Sequence, residues 1–433
     1  MEGRAAGLVQ RAPNLAPPPD NPRFPMFDAL RAIAALAVFA GHTVTEVFSY
    51  QAHRHLFLFA SVLAHEGVAI FFAISGFLLY RPFLSARAHR RKLGLGGYAA
   101  RRIARIVPAY WVALTLFVAF GWVSGVTSRN WFVFYGFGQV YSAHTLSQGL
   151  VVAWTLCVEV SFYVVLPVLA LLPFTRRRAS SGLKVAAGLL VLLSAASLAM
   201  RGHFSGLSDV AIQSTLPLSF FWFAAGMALA LASVAAEREG RWRRLVQADA
   251  RLVWLIALAL FGTLSELTLE GPGVSAGNWA VLQHVLYALV ALFVVVPGVF
   301  DRGARATAPQ HLLRSSPLRW IGLVSYGVYL YHSIVIARVV HAFGGNDLAR
   351  YCGVTVTSLI LTGACAGASY YLVERPILRY VRRRSARSRP ESPRRRRTSS
   401  RSRTAALASK DQMPSDEGTV RRRTMRRRAR RSV

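Results

Sequence analysis

The sequence predicts an all-α polytopic membrane protein of about ten transmembrane helices with both termini in the cytoplasm, and three observations predict it. Of 433 residues, 54% are hydrophobic, yet the formal net charge is +33, so charge and apolar surface must be segregated along the chain. Apolar stretches recur that are long enough to cross about 30 Å of hydrocarbon at about 1.5 Å per residue. Between them, basic residues alternate between dense and sparse, as the positive-inside rule requires.

The stretches fall near 26–46, 60–80, 106–124, 149–173, 183–200, 210–234, 251–269, 277–300, 318–340 and 351–373. The first follows a proline-rich segment, residues 1–25, that lacks a basic region leading into a short apolar core and a cleavage site. It is therefore expected to be retained as a helix, with a disordered segment before it. His65 and Glu66 interrupt the second, whose start is set either near residue 60 or at Gly67. The connections after the second, fourth, sixth and eighth stretches carry the basic clusters Arg81 to Arg105, Arg176 to Lys184, Arg238 to Arg251 and Arg302 to Arg319. The opposite connections hold only isolated arginines such as Arg54, Arg129 and Arg350. An even count thus puts both termini on the basic, cytoplasmic side.

The transmembrane domain is expected over 26–380, leaving 381–433 as a disordered Arg-rich cytoplasmic tail. From 382 onward this tail has 19 arginines and Lys410 against four acids, with neither interleaved aromatics nor a folded module. Such a tail suits anionic membrane lipid better than specific nucleic acid. The three cysteines sit inside apolar runs without CxxC spacing, and no His/Asp/Glu cluster has ligand spacing, so no metal site is indicated. Walker, dinucleotide-binding and HExxH motifs are absent, and the one literal GxSxG match, Gly273 to Gly277, lacks the strand a nucleophile elbow needs.

Chemistry is expected where ionisable groups enter the apolar runs, because each costs roughly 2.5–3.5 kcal/mol at the bilayer centre and is kept for a reason. Asp28, Arg31 and His42 share the first helix. Eleven residues at about 100° each bring His42 to within about 20° of Arg31, so the three form one stripe through otherwise apolar positions. The fourth helix carries Glu159 about 15 Å from its outer end by axial rise, with Tyr163 one turn on. If the first and fourth helices pack together, Glu159 can approach His42, and a histidine beside a carboxylate is the arrangement of a general base. Ser75 closes a small-residue segment of the second helix, while Tyr326, Tyr329, Tyr331 and His332 make an aromatic, polar patch in the ninth that lines either a cavity or the membrane interface.

Several blocks in order resemble the membrane acyltransferase-3 family: Phe27-Asp28-Ala29-Leu30-Arg31 through His42, the run Gly67 to Leu78, Arg101 to Tyr110, Trp154 to Glu159, Ser325 to His332, and Val373-Glu374-Arg375-Pro376. The resemblance spans residues 26 to 380. It implies an O-acyltransferase in a bacterial plasma membrane that moves an acyl group, acetyl being expected, from acyl-CoA to a hydroxyl of a cell-envelope glycan or glycosylated metabolite. In that scheme His42 is the base and Glu159 orients it. Asp28 holds Arg31; Arg101, Arg102 and Arg105, with Arg31 as a further candidate, attract the phosphates of the donor; and Ser75, Tyr163, Tyr331 and His332 support the site. Direct attack on the thioester and transient acylation of His42 both fit. Many relatives have an acid where Ala69 stands, so any role for it is missing or passes to Glu66. A secondary transporter using Asp28, Arg31, His42 and Glu159 as a substrate or proton path is the rival reading, and it expects paired internal repeats with broken helices, which the sequence does not display.

Overall fold

The computed structural model describes residues 24–88, 94–174, 179–205, 210–239, 249–271, 273–300, 308–345 and 347–387. Among them, ten helices are long and apolar enough to cross a membrane. They are α1 (Phe27–Val47), α2 (Arg54–Ala88), α3 (Leu95–Ala119), α4 (Trp154–Leu171), α5 (Ala179–Phe204), α6 (Leu216–Glu239), α7 (Ala250–Glu270), α8 (Ala276–Phe300), α9 (Ser316–Val339) and α10 (Asp347–Ser369). The described residues contain no strand. Each helix coincides with one apolar stretch of the sequence, and the protein is a multi-pass membrane protein.

Helix ends differ from expectation at two places that matter for the site. Helix α2 starts at Arg54 and runs through His65 and Glu66 without a break, since a polar side chain inside a helix costs no backbone hydrogen bond. Helix α3 starts eleven residues before the expected 106, which puts Arg101, Arg102 and Arg105 on the helix rather than in the preceding connection. Arginine and alanine are strong helix formers, and a helix can continue past the apolar layer.

At the other end, α10 does not stop at Glu374-Arg375-Pro376. It passes through a π-helical turn, Tyr370–Glu374, into α11, Arg375–Arg387. Pro376 has no N–H for the carbonyl four residues back, and widening one turn accommodates the missing bond. By its contacts the chain divides into a unit of Met1–Val381 and a second of Arg382–Val433, of which 382–387 are described and helical. The disorder expected of 1–25 and 381–433 falls on residues outside those described, apart from Phe24, Pro25 and 381–387. Phe24 is buried, edge-on to Phe27 and Phe77.

Helix α1 lies between α2 and α9, α2 packs on α6, and α9 on α10. Two glycines set the closest crossings. A Cβ on Gly226 of α6 would collide with the Ala73 carbonyl of α2, and one on Gly322 of α9 would collide with the backbone of Asp28. Small residues permit such backbone approach where hydrocarbon supplies no hydrophobic drive. The second contact fixes the start of α9 against the start of α1 and so aligns the helix that carries Arg31 and His42 with that of Tyr329 and His332.

Candidate active site

Glu159, on the second turn of α4, is the hub of the polar interior. Ser75 of α2 and Tyr163, one turn further along α4, each donate a hydroxyl hydrogen to Glu159 Oε1 at 2.6 Å. Tyr163 is itself held from α3: the Tyr98 hydroxyl donates to its carbonyl at 3.2 Å, and the Arg102 guanidinium lies 5.9 Å from its ring centroid. Tyr326 of α9 ties the opposite wall to α3 by donating to the Ile106 carbonyl at 2.8 Å. These elements enclose a cavity of about 100 Å³ lined on its polar side by Arg31, Ser75, Arg102, Arg105, Thr155, Glu159, Tyr163, Ser325, Tyr326 and Tyr329, with Val68, Phe71 and Phe72 on its apolar side.

Three guanidinium groups and one carboxylate therefore line the same cavity. Arg31 pairs with Asp28 on its own helix, Nη1 to Oδ1 at 3.4 Å, and that bond orients it. The cavity lining carries an excess of positive charge, which suits an anionic or strongly polar guest presenting hydrogen-bond acceptors. Arg101, grouped with Arg102 and Arg105 from sequence, is exposed and does not line the cavity.

His42 lies elsewhere. It does not line the cavity, and no ion pair joins it to Glu159, so the approach suggested by counting depth along the first and fourth helices is not what the structure has. Its neighbour is His332 of α9, with ring centroids 5.0 Å apart and planes inclined at 50°. His332 is buried and its Nδ1 donates to the Tyr329 carbonyl at 2.8 Å. The Tyr329 hydroxyl lies 2.6 Å from that of Thr155 and donates to the Val152 carbonyl at 3.0 Å. Tyr329 thus stands between the arginine-lined cavity and the histidine pair. Tyr331 points to α3 instead, edge-on to Phe117 at 5.7 Å.

The structure brings together Arg31, Ser75, Arg102, Arg105, Glu159 and Tyr163, and separately His42 and His332. Sequence reasoning missed the Thr155–Tyr329 link between them, for which a partner 174 residues away leaves no local signal. Ala69 is fully buried, and Glu66 lies buried outside the cavity with neither carboxylate oxygen hydrogen-bonded. Among the described residues, no three His, Cys, Asp or Glu side chains gather to hold a metal ion.

An all-helical membrane protein with an arginine-lined polar cavity between its helices is the class that this fold and site define. The chain belongs to the Acyl_transf_3 family, whose profile, described as an acyltransferase domain, matches residues 25–367. It is an acyltransferase of the group that transfers acyl groups other than aminoacyl. Among its relatives, Nodulation protein 10 of Rhizobium leguminosarum bv. viciae is 26% identical over 82% of this chain and 93% of its own length. The putative peptidoglycan O-acetyltransferase YrhL of Bacillus subtilis is 26% identical over 82% of this chain. The peptidoglycan O-acetyltransferase OatA of Listeria monocytogenes is 27% identical over 72% of it. This chain spans only about half the length of the latter two, 54% and 49%. No solved structure matches it.

Proposed function

We propose that this acyltransferase takes an acyl group, acetyl in the first instance, from acyl-CoA and places it on a hydroxyl of a cell-envelope glycan, with His42 as general base. The observation that carries the reading is the convergence of Arg31, Arg102 and Arg105 on one cavity, with Arg31 on the same helical stripe as His42. Arg102 and Arg105 sit near the start of α3, on the arginine-rich side of the membrane that the positive-inside rule makes cytoplasmic, so an anionic CoA ester would enter there. Arg31 and His42 are separated along α1 by about 17 Å of axial rise, a span suited to an extended pantetheine arm running from the phosphates to the thioester.

In the chemical step the acceptor oxygen attacks the thioester carbonyl as His42 takes its proton. The C–S bond breaks, and the thiolate of CoA takes that proton from the imidazolium. Glycan acceptors are favoured because two of the relatives named above are peptidoglycan O-acetyltransferases by name. The 1–25 segment, the 26–380 domain and the 381–433 tail, with both ends cytoplasmic, complete the reading. The tail is assigned to anionic lipid.

The test is thiol release from acetyl-CoA by protein in nanodiscs with soluble peptidoglycan fragments present, wild type beside His42→Ala. Acceptor-dependent release in wild type and its loss in a folded His42→Ala variant support the proposal. Equal release by both removes His42 from the chemistry. No release, together with no calorimetric heat of acetyl-CoA binding, removes acetyl-CoA as donor.

A further inference from the structure

The base proposed above needs a partner that fixes which of its ring nitrogens carries the proton, and Glu159 does not supply it. Glu159 Oε1 already accepts from Ser75 and Tyr163, and no ion pair links the carboxylate to His42. The ring against His42 is His332, whose state the structure constrains from two directions. A backbone carbonyl can only accept, so the 2.8 Å contact to Tyr329 O puts a proton on His332 Nδ1. In the neutral ring this leaves the lone pair on Nε2. That atom is buried with no hydrogen-bond partner, in a residue that is 1% exposed.

A buried acceptor without a partner is costly and calls for a donor within reach. The His42 ring, at a centroid distance of 5.0 Å, is the adjacent group able to donate. Neither helix is loose at this point. The Gly322–Asp28 contact seats the start of α9 against α1, and Tyr329, whose carbonyl holds His332, is tied through its hydroxyl to Thr155 and Val152 of the α4 region.

We propose that His332 is the positioning residue for His42: the two rings, in contact but not hydrogen-bonded in the free protein, close in the Michaelis complex so that the His332 Nε2 lone pair accepts the His42 N–H, which leaves the second His42 nitrogen unprotonated and free to take the acceptor's proton. The inference rests on His42 being the base. It assigns to a histidine 290 positions away the orienting role that a carboxylate fills in other sites. When His42 accepts the hydroxyl proton, the same N–H···N bond carries part of the positive charge, and His332 stays uncharged while the proton passes on to the thiolate.

The experiment compares wild type, His332→Leu, His332→Gln and His42→Ala in nanodiscs, with acetyl-CoA and soluble peptidoglycan fragments as the probes. Thiol release is measured against both substrates, and thermal unfolding serves as the folding control. Leucine fills the space without an acceptor, whereas glutamine offers Oε1 at a similar reach. Expected are a kcat for His332→Leu lower by roughly 10- to 100-fold, part of the 10²–10⁴ that a general base contributes, and KM values for both substrates within about twofold of wild type. His332→Gln should recover most of that kcat. Should His332→Leu not fold, His332→Phe keeps a planar ring without nitrogen and takes its place.

Wild-type kcat in His332→Leu, or equal impairment in the Leu and Gln variants, overturns the assignment. A raised acceptor KM with unchanged kcat also overturns it, because His332 would then be a contact to the acceptor. If His42→Ala keeps wild-type activity, the underlying reading of His42 fails first, and that result is separable because it does not depend on any His332 variant.

Discussion

Thr155 and Tyr329 hold their hydroxyl oxygens 2.6 Å apart, joining α4 to α9 at the boundary between the arginine-lined cavity and the histidine pair. Both hydroxyls also reach the Val152 carbonyl, Tyr329 at 3.0 Å and Thr155 at 3.3 Å, so Thr155→Val leaves the tyrosine that partner and costs a net of one hydrogen bond, worth about 1 kcal/mol. Tyr329→Phe removes both bonds and frees the segment whose carbonyl holds His332. The expected outcome is a small loss of thermal stability for Thr155→Val with kcat nearly kept, and a several-fold lower kcat for Tyr329→Phe. Unfolding in detergent alongside thiol release from acetyl-CoA measures both. Equal kcat in the two variants would mean that the link does not position the histidine pair.

That link also marks where the sequence stops being readable. The ten spans were legible because hydrocarbon thickness sets both their length and their composition, and the Asp28–Arg31–His42 stripe was legible because helical period fixes it within one helix. The ion pair between Asp28 and Arg31 follows from the same local geometry. Which residue meets His42 is set by tertiary contact, and depth counting, which offers Glu159 on condition that the first and fourth helices pack together, does not include the directions in which side chains leave neighbouring helices. Sequence adjacency groups Arg101 with Arg102 and Arg105, and helical period keeps it within about 40° of Arg105, but it lies one turn nearer the start of α3, where it is exposed and outside the cavity.

The three arginines of α3 therefore separate into a test and its control. Arg102→Gln and Arg105→Gln each remove a guanidinium from the cavity wall, and a hydrogen bond to a charged group is worth about 1.5–3 kcal/mol, so KM for acetyl-CoA should rise by at least about tenfold. Arg101→Gln, at an exposed position, should change KM less than about twofold. Initial-rate kinetics over a range of acetyl-CoA concentrations make the comparison. Three equal effects would point to long-range attraction by the helix end as a whole.

Glu159 invites two substitutions that remove different things. Glu159→Gln keeps an oxygen able to accept from Ser75 and Tyr163 but deletes the charge that offsets Arg31, Arg102 and Arg105. Glu159→Ala also strands the two hydroxyls, at about 1–3 kcal/mol each. Expected are a folded Gln variant that binds acetyl-CoA at least as tightly as wild type, because the cavity is now more positive, and an Ala variant of visibly lower thermal stability. Calorimetric titration with acetyl-CoA and a melting curve distinguish them. Weaker binding by the Gln variant would show that Glu159 contacts the donor directly.

Two glycines predict opposite outcomes for the same change. At Gly363 of α10 an added Cβ meets nothing within 4 Å, and replacing glycine by alanine inside a helix gains about 1 kcal/mol of helical propensity, so Gly363→Ala should be neutral or stabilising. At Gly322 of α9 the added Cβ would run into the carbonyl of Asp28. Backbone is the obstacle there, so no rotamer change relieves the clash, and α9 must move off α1. Since Asp28 holds Arg31 at one end of this seam and His42 faces His332 at the other, displacement disturbs both halves of the site at once. Gly322→Ala should therefore lower the melting temperature and cut thiol release from acetyl-CoA more steeply than its loss of stability alone explains. The two alanine variants purified in parallel and assayed below both melting points provide the measurement. If Gly322→Ala proves as active as Gly363→Ala, the close crossing of α1 and α9 is not what aligns the site.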